Sequence, residues 1–175
     1  MKTLFSNFSG TSITDVVVIC ELESEDRFKK WSKSEGGTLV IEFEDLSSLS
    51  MTQPLGREIV EGNTMTVADA LAKLRSDAQS EDFTAISLFD LFCFRCDVNG
   101  KGPKITGVTG FYKEGNLENT LGLEISLSTG GLIGIDGSTY GGLTWFLDGH
   151  SATFKREYVE PCNLTEESIW KPENT

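Results

Sequence analysis

Apolar and polar positions change rhythm along the chain. Thr14 to Leu22 is rich in Val and Ile and alternates weakly, which predicts a strand. In Ser24 to Lys33, Ser24 can cap a short helix whose Phe28 and Trp31 lie three apart on one face, and Gly36-Gly37 ends it. Thr38 to Glu44 predicts the next strand. Residues 45–55, rich in Ser and holding Pro54, predict a loop or one irregular turn. The clearest helical period falls at Thr66 to Ser80. Thr66 stands as N-cap with Asp69 three positions on, an acidic variant of the capping box, and Val67, Ala70, Leu71 and Leu74 form the stripe.

From residue 83 the period shifts toward two. Phe83 to Cys96 predicts a long strand, and Asn99-Gly100 within Asp97 to Gly102 is a hairpin signal. Lys104 to Lys113, Leu121 to Ser128, Leu132 to Asp136, Thr139 to Leu147 and Ser151 to Tyr158 follow as strands, divided by Gly130-Gly131, Gly137-Ser138 and Asp148-Gly149. Connections this short do not allow parallel crossovers, so the pattern is an antiparallel meander. Residues 161–175, with Pro161 and Pro172, predict a loose tail around Trp170. The expected fold is α+β: a single domain over 1–175, mainly antiparallel twisted β-sheet, with one clear helix at 66–80 and a short N-terminal helix.

Composition narrows the class. At 175 residues the chain can bury roughly 70% of its extended surface. Its 17 aromatic residues are too many to leave in water, which argues against disorder. The net charge of −12 has the wrong sign for binding nucleic acid through phosphates. The longest apolar run near the N-terminus, Val16 to Cys20, is strand-sized and shorter than the ~7–15 residues of a signal peptide core. No run approaches the ~20 residues of a membrane helix. The expectation is a cytoplasmic chain that does not engage the membrane.

Residues able to carry chemistry are sparse. His150 is the sole histidine, so any Ser-His-Asp or Cys-His arrangement must use it, and it sits in a turn, Asp148-Gly-His-Ser151, with no partner motif. Cys93-Phe-Arg-Cys96 has CxxC spacing, but it lies in a strand rather than at a helix start. A zinc site would need two more ligands from Cys20, Cys162 and His150, which form no second close pair. The segments Gly130 to Gly134 and Gly137 to Gly142 lack phosphate-loop spacing and a following helix. The pairs Glu21/Glu23 and Glu42/Glu44 each put two acids on one face of a strand, commonly a solvated face. Asp97 to Gly100 resembles the start of a calcium loop, but Val108 stands where the closing Glu belongs.

Charge distribution says more. Residues 116–175 carry nine acids against three bases, and no base occurs for 41 positions between Lys113 and Lys155. Nine of the 18 glycines fall in 115–149, together with Tyr140 and Trp145. Such a stretch suits an acidic, sterically open surface that receives a basic protein, with Glu118, Glu124, Asp136, Tyr140, Trp145 and Asp148 as candidate contacts. An exposed strand edge there could accept a strand from the partner by β-augmentation.

The segment Leu123 to Asp136, continuing through Tyr140-Gly-Gly-Leu-Thr-Trp145, resembles bacterial immunity proteins, as do the opening Met1 to Phe8 and the overall length. The resemblance is to the immunity proteins of contact-dependent growth inhibition systems, in the group that neutralises nuclease toxins. It implies a small α+β protein with no activity, cofactor or metal of its own. Such a protein binds, 1:1, one basic toxin domain carried at the C-terminus of a large surface-displayed effector. The competing readings are a small hydrolase-like enzyme using His150 and an adaptor stabilised by zinc on Cys93 and Cys96.

Overall fold

The run Ile13–Glu21 forms the first strand (β1), and its near-continuous apolar character has a direct cause: both of its faces are covered. Val16, Val18 and Cys20 point into one core, Val17 and Ile19 into another. The structure is a computed structural model that describes residues 1–21, 33–54, 57–88, 99–116, 118–137, 143–147 and 155–172.

In chain order the elements are a short helix α1 (Lys2–Ser6), β1, β2 (Lys33–Gly36), β3 (Thr38–Phe43), β4 (Ser48–Thr52) and β5 (Glu61–Asn63). There follow α2 (Val67–Ala78), β6 (Phe83–Ser87), β7 (Ile105–Tyr112), β8 (Gly122–Leu127), β9 (Leu132–Asp136) and β10 (Leu143–Leu147). A single π-helical turn (Lys155–Val159) and β11 (Thr165–Trp170) complete the chain. The strands form two sheets in which every pairing is antiparallel. Sheet 1 has the order β5-β4-β3-β1-β6 and sheet 2 the order β11-β7-β8-β9-β10-β2. The architecture is α+β.

The sheets pack face to face. Leu39, Ile41, Phe43, Leu49 and Met51 of sheet 1 meet Val108, Leu123, Ile125, Ile133, Ile135 and Trp170 of sheet 2 in one core. Phe5 and Phe8, from α1 and the turn after it, also enter this core, and the Phe8 ring stacks on Phe43 with centroids 4.6 Å apart. The two sheets are also tied by backbone: Ile13 N–H donates to the Pro103 carbonyl at 2.8 Å and Val60 N–H to the Thr120 carbonyl at 2.7 Å. A Cβ on Gly102 would sit 1.8 Å from the Ile13 carbonyl oxygen, so only glycine allows that crossing.

The outer face of sheet 1 takes α2 across one half. The stripe read from the sequence is the contact: Ala70 is buried, and Val67, Leu71 and Leu74 pack with Val17, Ile19, Val40 and Phe83. The cap forms as well. Thr66 Oγ1 accepts from Asp69 N–H at 3.1 Å and donates to the Asp69 carboxylate at 2.7 Å. Gln79 closes the helix in the left-handed region.

Several expectations are corrected. The loop expected at 45–55 contains β4, whose Ser-Leu-Ser-Met-Thr places Leu49 and Met51 in the core. Serine at the alternate positions obscured this period of two. Gly36-Gly37, expected to end a helix, instead closes β2 and leads into β3, and Lys33 belongs to β2; the rest of the expected helix at 24–33 lies outside the described residues. The strand expected at 151–158 is a π-helical turn from Lys155 onward, with Glu160 N–H donating to the Lys155 carbonyl at 2.9 Å. The tail expected at 161–175 contains β11, paired with β7 and anchored by buried Trp170. Of the strand expected at 83–96, Phe83–Ser87 forms β6, Leu88 lies just beyond it, and 89–96 lies outside the described residues.

Candidate partner-binding surface

Sheet 2 carries two of the acids that the sequence singled out, Glu124 and Asp136, and strand pleating decides which way they point. On β8, Leu123, Ile125 and Leu127 enter the core, so Glu124 faces outward between them. On β9, Ile133 and Ile135 enter the core and Asp136 faces outward. Small partners flank both acids: Glu124 lies opposite Gly134, and Asp136 opposite Gly122.

Outward does not mean exposed. Glu124 retains 9% of its surface and Asp136 2%. Lys155, from the π-helical turn, sets its Nζ 3.5 Å from Glu124 Oε2, 3.5 Å from Glu166 Oε2 and 5.8 Å from the centre of the Phe111 ring. Val159, one π-turn on, packs against Phe111. The four-residue spacing therefore brings an ammonium and an isopropyl group down on the same ring. Glu124 is built into this layer and Asp136 is buried as well, which takes both off the directly accessible surface.

The other expected contacts are dispersed. Glu118 is exposed in the β7–β8 connection. Trp145 lies in β10, with its backbone opposite Ile135 and Ser34. Tyr140, Asp148, His150, Cys93 and Cys96 lie outside the described residues, Cys20 is buried and Cys162 is exposed. The structure thus joins Glu124 and Asp136 on adjacent strands of one face and leaves Glu118 beyond them on a hairpin.

Beside Glu118's hairpin lies a shallow cleft of about 340 Å³, lined by Arg57, Glu58, Ile59, Lys113, Asn116, Asn119 and Leu121. Both of its cations already face carboxylates: Lys113 is 3.4 Å from Glu58 and Arg57 is 3.2 Å from Glu61. The cleft is polar but not electropositive. Among the described residues, no three or more His, Cys, Asp and Glu side chains gather so as to hold a metal ion. No helix among them is long and apolar enough to cross a membrane.

A second acidic region, of which the sequence marks only the Glu42/Glu44 pair, lies at the far end of sheet 1. The half of its outer face that α2 does not cover carries Asp15 on β1 and Glu42 on β3, directly opposite each other in register. Asp15 accepts from its neighbour Val16 N–H at 2.7 Å and from the Ser87 hydroxyl at 2.8 Å. The β3–β4 turn continues this end with Glu44, Asp45, Leu46 and Ser47. Asp45 is held by Ser47, whose N–H donates to its carboxylate at 3.0 Å and whose hydroxyl donates to the same oxygen. The Ser47 hydroxyl, and then its backbone N–H, hold the Asp45 carboxyl below the usual carboxylate value.

The signal for this region was a pair of acids at alternate strand positions, Glu42 and Glu44, which sequence alone could not place opposite Asp15. Comparisons with protein-family models, with curated proteins and with solved structures give no match for this chain.

Proposed function

We propose that this protein is a non-catalytic inhibitor that binds a basic toxin domain, of the nuclease class, and protects the cell that makes both. The observation that carries this reading is the charge of −12, with nine acids against three bases in the last 60 residues. A nuclease domain is cationic because it must hold phosphate chains, and an acidic inhibitor supplies the complementary field. The likeness of Leu123 to Trp145 and of the opening residues to immunity proteins of contact-dependent growth inhibition supports the same reading. The acids that meet solvent, among them Glu44, Asp45, Glu118 and Glu167, supply that field at several places on the surface.

The test is direct. Mixing the chain with the toxin domain encoded in the neighbouring reading frame gives a 1:1 complex of nanomolar or tighter affinity, and co-expression restores growth. Association slows by about tenfold or more as salt is raised from low to high ionic strength. A toxin that neither binds the chain nor is neutralised by it overturns the proposal.

A further inference from the structure

Among the described residues, Leu46 is the one large apolar side chain that stands exposed, with 94% of its surface open. It is also strained: its φ of +66° lies in the left-handed region, where a side chain's Cβ crowds the following carbonyl and glycine or asparagine is at ease. A turn chosen for stability alone carries neither feature. The turn is nevertheless well made. Leu46 N–H donates to the Phe43 carbonyl at 3.0 Å, Phe43 N–H to the Ser47 carbonyl at 3.0 Å, and Ser47 ties Asp45 in place. Leucine is therefore presented on a rigid tip.

A second, separate cost lies at the same end of sheet 1. Asp15 and Glu42 are directly opposed across β1 and β3, and like charges so placed repel. Among the described residues, no cation lies within ion-pair distance of Asp15, Glu42 or Asp45. Glu44, next along the turn, has Lys101 at 3.7 Å, which leaves the region negative. Glu42 is four residues from Leu46, within roughly 13 Å along the strand. Leu46 and this acidic patch can therefore meet one partner together.

On the footing of the inhibitor reading, we infer that Leu46 and the acidic patch of Asp15, Glu42 and Asp45 form a docking surface for a basic protein domain with an apolar recess ringed by Lys or Arg. The patch is opposite in sign to the partner, whose cations relieve the Asp15/Glu42 repulsion, and Leu46 fills the recess. The acids set the encounter rate and the leucine sets the residence time. An apolar side chain centred in charged surroundings has the form of an interface anchor with its polar rim.

The experiment measures association and dissociation of the purified full chain with the neighbouring toxin domain, using wild type, L46N, L46M and the D15N/E42Q pair. Asparagine suits the left-handed turn, and the amides at 15 and 42 keep hydrogen-bonding capacity, so all variants fold; circular dichroism and thermal melting confirm it. The expected result is dissociation about tenfold or more faster for L46N, near-wild-type dissociation for L46M, and association several-fold slower at low salt for D15N/E42Q. Wild type that binds while all three variants keep its rates overturns this docking surface and leaves the inhibitor reading standing. Wild type that does not bind overturns both. A dimer of the chain itself that L46N dissolves assigns Leu46 to a second copy and overturns the basic partner.

Discussion

At the scale of single residues, Leu46 and Gly102 make opposite demands on the backbone. Leu46 occupies a left-handed position that glycine or asparagine fills without strain. Replacing it with asparagine raises stability by roughly 0.5–1 kcal/mol, read as a higher urea midpoint at an unchanged slope. Gly102 has no such latitude, because any Cβ collides with the Ile13 carbonyl. Gly102→Ala lowers stability by about 1–3 kcal/mol in the same measurement, since the backbone bond from Ile13 to Pro103 must move with it. Asp45 gives a pH signature. Its folded pKa lies below the unfolded value of 3.8, so its contribution to stability is present above that value and lost as pH falls through the folded one. In carboxyl-detected titration, Ser47→Ala returns Asp45 toward its ordinary value.

At the scale of elements, α2 was legible because its signals are local: a cap at Thr66, Asp69 in the first turn and a stripe at helical spacing. Thr66→Ala costs about 1 kcal/mol of stability through the lost cap. The π-helical turn was not legible. Lys155 and Val159, four residues apart, share one face of the turn because both meet Phe111 on the neighbouring sheet, a tertiary cause. Lys155→Met leaves Glu124 largely covered beside Glu166 and costs about 1–2 kcal/mol, the partial exposure of Lys155 moderating the loss. Adding Glu124→Gln to that variant recovers a large part of it, a coupling that a double-mutant cycle measures.

At the scale of the whole molecule, the two sheets share one core to which the C-terminal strand contributes. A chain ended after Glu160 loses β11, exposes the edge of β7 and removes Trp170 from the core. Its stability falls by about 3–5 kcal/mol or more, and equilibrium unfolding with circular dichroism shows a lower midpoint or no folded baseline. Charge acts at this scale as well. The sequence put the acidic surface in 115–149, whereas folding covers Glu124 and Asp136 and leaves Asp15, Glu42 and Asp45 as a patch around a sheet end. Charge counted along a chain does not report which acids a pleated strand turns outward, nor which of those a later segment covers.

The sequence by itself determined the class: an acidic α+β chain with a capped helix, read at 66–80 and observed at 67–78, and an antiparallel meander through β7, β8, β9 and β10. These follow from periods of 3.6 and 2 and from short connections, all of which act within a few residues. The tertiary structure alone decided that the strands split into two sheets. It also decided that Ser48–Thr52 and Thr165–Trp170 pair as strands and that Leu46 stands alone at an acidic tip. The reason is physical. Edge and polar strands take their conformation from the neighbours they bond, and exposure is settled by what comes to lie on top.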